Sequence, residues 1–228
     1  MMDHRPALVL TEDGSYTLYN RVLGEHYHSI HGAVQESRHV FLEAGYRYIC
    51  EKFRDISILE VGFGTGLNAL LTLDASVKAG VNTRYHALDP FPPDWSVVEK
   101  INYCSHGGME GFADDFRKMH QAMPDKEILL RANFTFSLSR SRLEDAGPRL
   151  GKYNLVYFDA FSPETAPELW EPGIFRKLRL IMDQGGVLVT YCAKGRVRRI
   201  LQEAGFSAER LPGPPGKREM LRATANEL

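Results

Sequence analysis

The chain has 228 residues, 43% of them hydrophobic and 25% charged, the balance of an ordinary folded domain, which excludes a disordered chain, a collagen-like repeat and a coiled coil. Its formal net charge of −1 conceals unlike halves: residues 1–130 carry 12 basic against 18 acidic residues, and residues 131–228 carry 16 against 11. The longest apolar runs, such as 128–130 and 187–189, fall far short of the roughly 18 residues of a membrane span, and MMDHRPALVL is too short for a signal-peptide core, so a cytoplasmic location with no membrane partner is expected.

The first fifty residues are rich in turn formers and aromatics, including Asp13-Gly14-Ser15, Tyr16, Tyr19-Asn20 and Gly24, and then pass into a helical pattern over 37–52. Residues 1–50 read as an N-terminal extension or lid and 51–228 as the core domain. ISILEVGF, RYHALDPF, YNLVYFDAF and GGVLVTYC are short apolar runs rich in β-branched and aromatic residues, the pattern of buried parallel strands. Helical patterns fall between or after them at 67–79, 95–105, 111–123, 173–182 and 196–204. This alternation implies an α/β fold: a parallel-type sheet with helices on both faces and a ligand crevice beyond the strand carboxyl ends. ILLRANFTFSL reads as a small added hairpin turning near Ala132-Asn133. The tail, with Gly213-Pro214-Pro215-Gly216, reads as two final strands joined by a rigid loop.

ISILE leads into Glu60-Val61-Gly62-Phe63-Gly64-Thr65-Gly66-Leu67-Asn68 and then a helical pattern, giving strand, glycine turn and helix in succession. Glycines let the backbone turn sharply and approach a ligand with no Cβ in the way, while the first N–H groups of the helix face it. A dinucleotide fingerprint would place glycines at 62, 64 and 67; Leu67 and Gly66 break that spacing and disfavour NAD. Glu60-x-Gly-x-Gly-x-Gly resembles instead the first motif of class I S-adenosylmethionine (SAM) dependent methyltransferases, which implies a Rossmann-like core. The next strand pattern ends in Leu88-Asp89-Pro90, where a carboxylate can accept both hydroxyls of a ribose. The bland alternative for Asp89 is a capping or turn acid.

The run Tyr153 to Phe158 ends in Asp159-Ala160-Phe161-Ser162-Pro163, setting a carboxylate and an aromatic ring where an open sheet presents its ligands. Beside a methyl donor, such an acid suits an amine nucleophile: it accepts an N–H hydrogen bond and aims the nitrogen lone pair. Attack on a sulfonium depends on position and charge rather than on covalent help. A carboxylate also favours the unreactive ammonium, so Asp159 has to take the proton too, a general-base role worth on the order of 10²-fold or more. The alternative is that Asp159 only caps the following turn.

GEHYHSIHGAVQESRHVFLEAG, LEVGFGTGLN, FDAFSPETAPELW, VTYCAKGRVRRILQEAGF and PGKREML occur in this order over roughly residues 10–223. Together they resemble the tRNA wobble-uridine aminomethyl methyltransferase family. In that family a SAM-dependent module converts 5-aminomethyl-2-thiouridine to the 5-methylaminomethyl form, alone or fused to a flavin oxidoreductase. The resemblance implies SAM as cofactor and tRNA as partner. It places Glu60, Gly62, Gly64, Gly66 and Asn68 around SAM, Asp89 at the ribose, Asp159 at the amine, and Phe161 and Pro163 beside the substrate. A stand-alone form is expected, without a flavin domain or FAD, because the chain ends at Leu228 with no second glycine fingerprint. One departure concerns adenine: the acid that typically follows the third core strand is replaced by Leu138-Ser139-Arg140-Ser141-Arg142, leaving backbone groups, Ser141 or Glu144 as alternatives.

Glu25, His26, His28, His31, Glu36 and His39 invite a metal reading, but HxHxxH has no established zinc geometry and no metal is expected. Cys50, Cys104 and Cys192 form no C-x-x-C pair and read as reduced, buried thiols. Because their stretch resembles the family block beside the glycine loop, Glu36 and Tyr19 are assigned to the cofactor and substrate shell. Lys194, Arg198, Lys217 and Arg218, with Arg196 and Arg199, suit the backbone phosphates of a folded RNA; ion pairs on a solvated face are the alternative. Two other functions account for less of the sequence: aminopropyl transfer, whose glycine and acid patterns are not found, and a non-catalytic SAM- or RNA-binding module. The sequence carries no signal for oligomeric state.

Overall fold

The computed structural model describes residues 5–145 and 151–227. β1 (Ala7–Leu10), β2 (Tyr16–Asn20) and β3 (Glu25–His26) form a small antiparallel sheet. The helical run that follows starts earlier than its periodicity suggests: α1 (Ala33–Ser37) continues into a ten-residue π-helical stretch, Arg38–Arg47, and ends in α2 (Tyr48–Cys50). Its apolar face buries Val40, Phe41, Tyr46 and Ile49. Gly45 brings the run so close to the main sheet that a Cβ there would lie 3.0 Å from Val189 and 3.1 Å from Tyr157. The first fifty residues are therefore two different things, a small sheet and a helix that covers the core.

β4 (Asp55–Val61), α3 (Leu67–Ala79) and β5 (Asn82–Leu88) come next, followed by two short helices, α4 (Trp95–Val98) and α5 (Tyr103–His106), and then α6 (Ala113–His120). β6 (Ile128–Arg131), β7 (Phe134–Ser139), β8 (Tyr153–Phe158), α7 (Pro172–Leu180), β9 (Met182–Thr190), α8 (Gly195–Glu203), β10 (Phe206–Pro212) and β11 (Glu219–Ala225) complete the chain. The eight-stranded sheet has the order β10-β11-β9-β8-β4-β5-β7-β6. β7, β5, β4, β8 and β9 are mutually parallel, while β6 and the β10–β11 pair add antiparallel edges. The hairpin at 128–139 is thus less an appendage than expected, since its second arm is a core strand.

Strand alternation divides the interior in two. Leu59, Val61, Val156, Phe158 and Leu188 pack with α7 and α8, whereas Ile56, Ile58, Leu155, Tyr157 and Val187 pack with the π-helical stretch and α3. Helices therefore cover both faces, and the sheet has no solvated side along its centre. The 95–105 pattern is not one helix. Asn102 breaks it, donating to Gly14 O and accepting from Tyr16 N, both at 2.9 Å, so that contact with the small sheet overrides local propensity. Among the described residues, no helix is long and apolar enough to cross a membrane.

In the register of the central strands Val61 lies opposite both Leu88 and Phe158. Gly62 N donates to Leu88 O and Asp159 N to Val61 O, each at 2.9 Å. The three segments that leave these strands, beginning at Gly62, Asp89 and Asp159, therefore emerge side by side.

Candidate active site

A cavity of about 780 Å³ lies at those strand ends, roofed by residues 20–30 of the small sheet and its loops. That volume is ample for a cofactor and a second ring. Gly62, Gly64, Asp89, Asp159, Phe161, Glu36 and Lys217 line it, as do Ser141 and Glu144, the two side chains expected near adenine. Tyr19, Glu60, Gly66, Asn68, Pro163, Lys194, Arg198 and Arg218 are not on its wall.

The glycines divide by purpose. Gly62 has φ +92° and a Cβ there would meet Asp159 O at 2.4 Å, so this position requires glycine for the close approach of two strand-end loops. Gly66, at φ +76°, faces His120 and Phe63 rather than the cavity, and it starts α3. The expectation that all three glycines line the ligand gives way to two at the cavity and one in packing. Asp89 secures this loop: Oδ2 accepts from Gly64 N at 2.8 Å and Oδ1 from Phe91 N at 2.9 Å. A carboxylate has about four acceptor sites, so half remain for hydroxyls in the cavity.

Asn68, in the first turn of α3, donates through Nδ2 to Asp159 Oδ2 at 2.8 Å and to Glu60 Oε1 at 3.0 Å. Glu60 is fully buried, and its Oε2 has no hydrogen-bond partner among the described residues. Burial holds its pKa well above the usual carboxylate range; the Asn68 hydrogen bond opposes this and the nearby Asp159 charge adds to it. Strand alternation explains why Glu60 misses the cavity: it shares the side of β4 that carries Ile56 and Ile58. Asp159 is half-buried at the wall. Burial and then the Glu36 charge raise its pKa to about 7, opposed by the Asn68 hydrogen bond and the Lys217 charge.

Phe161 meets Tyr27 edge-on, with ring centroids 5.2 Å apart, and the Tyr27 ring would stand 3.0 Å from a Cβ on Gly64. Glu25 fixes the same loop, accepting from Ser162 N and Ser162 Oγ at 3.1 Å each. His28 reaches Thr65 Oγ1 at 2.9 Å, which in turn is 3.1 Å from the Tyr103 hydroxyl. In sequence Glu25 and His28 stand out only as possible metal ligands, and Tyr27 only within the GEHYHSIHG block. Their partners lie 37 to 137 residues away in sequence, and no local pattern announces such pairings.

The remaining assignments separate. Tyr19 packs its ring on His26, with centroids at 4.8 Å, instead of facing the cavity. Glu36 accepts from Ser29 N at 2.8 Å and from Lys217 Nζ at 2.6 Å. Lys217, read as a phosphate contact, turns inward; Lys194 pairs with Glu164, and Arg198 Nε reaches Ala208 O at 3.4 Å. Arg218 and Arg199 are exposed. His31 pairs with Glu12 and His39 with Pro212 O, so the described histidines of this stretch do not converge. Cys192 is buried, whereas Cys50 and Cys104 are half-buried, short of the full burial expected.

A family model described as S-adenosyl-L-methionine-dependent methyltransferase matches residues 113–226. The chain belongs to this methyltransferase family. The methyltransferase is 32% identical over 206 residues to the tRNA 5-methylaminomethyl-2-thiouridine biosynthesis bifunctional protein MnmC of Ralstonia nicotianae, covering 85% of this chain and 31% of that protein. It is 31% identical over 227 residues to the protein of the same name from Burkholderia thailandensis, covering 94% and 34%. It thus spans about a third of the length of these curated relatives. The crystal structure of MNMC2 from Aquifex aeolicus superposes with a TM-score of 0.76 at 23% identity, over 99% of this chain and 72% of that one, and so shares its fold.

The methyltransferase's own residues fit SAM. Two glycines at positive φ leave backbone bare on the cavity wall, and Asp89 keeps acceptor capacity beside them. The residues on this wall that could hold the cofactor are Gly62, Gly64 and Asp89.

Proposed function

We propose that this methyltransferase methylates the amine of 5-aminomethyluridine, with or without the 2-thio group, at the wobble position of tRNA, and that it does so in the cytoplasm. The observation that carries this reading is the Asp159 carboxylate at the end of β8, held by Asn68, facing the cavity beside Phe161 and half-protonated near pH 7. The names of the relatives, alike over most of this chain, support the choice of tRNA and of the aminomethyl group.

When bound, SAM supplies an electrophilic methyl group carried on a sulfonium. Asp159 accepts an N–H of the aminomethyl group in its ammonium form and takes that proton, which frees the lone pair and points it. Raising the carboxylate from 3.8 to about 7 makes that transfer less uphill by up to about 4 kcal/mol, with solvent in the half-open cavity reducing the figure. Asn68 holds Oδ2 and thereby fixes the orientation of the group, leaving Oδ1 to the substrate. The Phe161 and Tyr27 rings give a flat pyrimidine an aromatic wall, the usual way a protein holds an unstacked base.

The test is nucleoside mass analysis of tRNA carrying 5-aminomethyluridine after incubation with the protein and labelled SAM. One added methyl on the wobble nucleoside is expected. Methylation of a free polyamine with none on that tRNA would overturn the assignment.

A further inference from the structure

Lys217 reaches the cavity from the loop between β10 and β11, and that loop is built to put it there. Lys217 N donates to Pro214 O at 2.9 Å and Gly213 N to Arg218 O at 3.1 Å. A Cβ on Gly213 would strike Lys217 O at 2.4 Å. Gly216 has φ +82° and its missing Cβ leaves room for the His31 ring. The ammonium then makes two contacts: an ion pair with Glu36 Oε1 at 2.6 Å and a position 4.0 Å from the centre of the Tyr191 ring. Tyr191 in turn donates its hydroxyl to Ala160 O at 2.9 Å, one residue beyond Asp159. Glu36 is almost fully buried, so this ion pair is screened far less than one on the surface.

The two charges bear on Asp159 in opposite senses, Glu36 favouring the protonated acid and Lys217 the carboxylate. The other groups around it are accounted for. Asn68 is a neutral donor, and burial favours the uncharged form of Glu60 beyond it. Tyr85 and Tyr103 are buried phenols and Tyr191 a partly buried one, whose pKa values burial raises further from neutrality, and His28, beside Glu36, is buried and lowered to about 4. Glu25 is engaged with Ser162, and Asp89 is on the far side of the glycine loop. Glu36 and Lys217 are therefore the two unlike charges within reach that can be changed independently.

We propose that Lys217 and Glu36 are positioning residues acting as an opposed pair, whose balance sets the protonation of Asp159 and with it the pH range over which the amine is methylated. This rests on the base role given to Asp159 above. It explains why a lysine sits among acids in a site that must receive a basic amine: without it, an unpaired Glu36 would hold both Asp159 and the incoming nitrogen in their protonated, idle forms.

The experiment is the pH dependence of single-turnover methyl transfer by the full chain with saturating SAM. For K217M the acid limb moves up in pH, and for E36Q it moves down, each by on the order of half a unit to one unit. For the double variant it returns close to its original place, and K217R keeps it there. If the pair were only structural, the single variants would lose rate or SAM affinity with the limb unmoved, and the double variant would be worst; that outcome overturns the proposal. Failure of the underlying reading looks different: the unaltered protein would show no acid limb, or D159N would keep its rate.

Discussion

Asn68 Nδ2 lies 2.8 Å from Asp159 Oδ2 and donates to it, tying the first turn of α3 to the end of β8. The same nitrogen serves Glu60, so one amide fixes two acids in different settings: a fully buried one behind the wall and a half-buried one on it. Asn68→Leu removes both donors and leaves Glu60 and Asp159 less well satisfied. A stability loss of about 1–3 kcal/mol is expected in urea denaturation. The acid limb of the rate profile should also move to higher pH, because a hydrogen bond favouring the carboxylate is gone.

Asp159 makes the folded state less stable in its working form. Its pKa is raised on folding from 3.8 to about 7, so its favourable contribution is complete below the unfolded value and is lost as pH climbs through 7. Asp159→Asn is accordingly expected to stabilise the protein at pH 8, by on the order of 1–2 kcal/mol once cavity solvent is allowed for, and to be nearly neutral at pH 3.5. Denaturant midpoints at the two pH values check this. A site that stores instability in order to hold a reactive group behaves in this way.

His28 has the opposite sign. Burial lowers it from 6.5 to about 4, so the stability it allows is present above 6.5 and is lost as pH falls towards 4. Replacing it with Gln should reduce the slope of stability against pH by close to one proton over that window. His120, also buried and lowered to about 4, keeps its own acid sensitivity in that variant.

Gly62→Ala tests the approach of the two loops. The new Cβ would lie 2.4 Å from a backbone carbonyl at φ +92°, and a cost on the order of 2–4 kcal/mol with loss of turnover is expected. Gly80 has φ +64° but open space around it, so Gly80→Ala should cost only about 1 kcal/mol and leave turnover intact. Thermal unfolding and initial rates separate the two.

For tRNA binding, the exposed Arg218 and Arg199 should behave as phosphate contacts: replacing either with Ala flattens the dependence of affinity on salt by up to about one unit of slope. Lys217→Met, with its charge directed into the site, should leave the slope unchanged.

What the sequence made legible was local. The strand and glycine-loop pattern, the helix at 67–79 and the acids ending β5 and β8 all follow from periodicity and turn chemistry, and Asp89 and Asp159 stand together because parallel strands in register bring their ends together. Whatever depended on distant partners was not legible. Asn102 splits a helix because it bonds to Gly14 O, and Lys217 turns from solvent to the interior because Glu36, 181 residues earlier, waits there. Glu60 belongs to the glycine motif in sequence yet supports it from behind, since strand parity decides which side it takes.

The central claim is that Asp159 receives the amine's proton, and single-turnover methyl transfer to tRNA bearing 5-aminomethyluridine, followed from pH 5.5 to 9 in the unaltered protein and in D159N, tests it most directly. An acid limb near pH 7 is expected in the first and, in the second, a rate lower by on the order of 10²-fold or more with SAM affinity little changed and the limb absent. A D159N protein that keeps both the rate and the limb would contradict it.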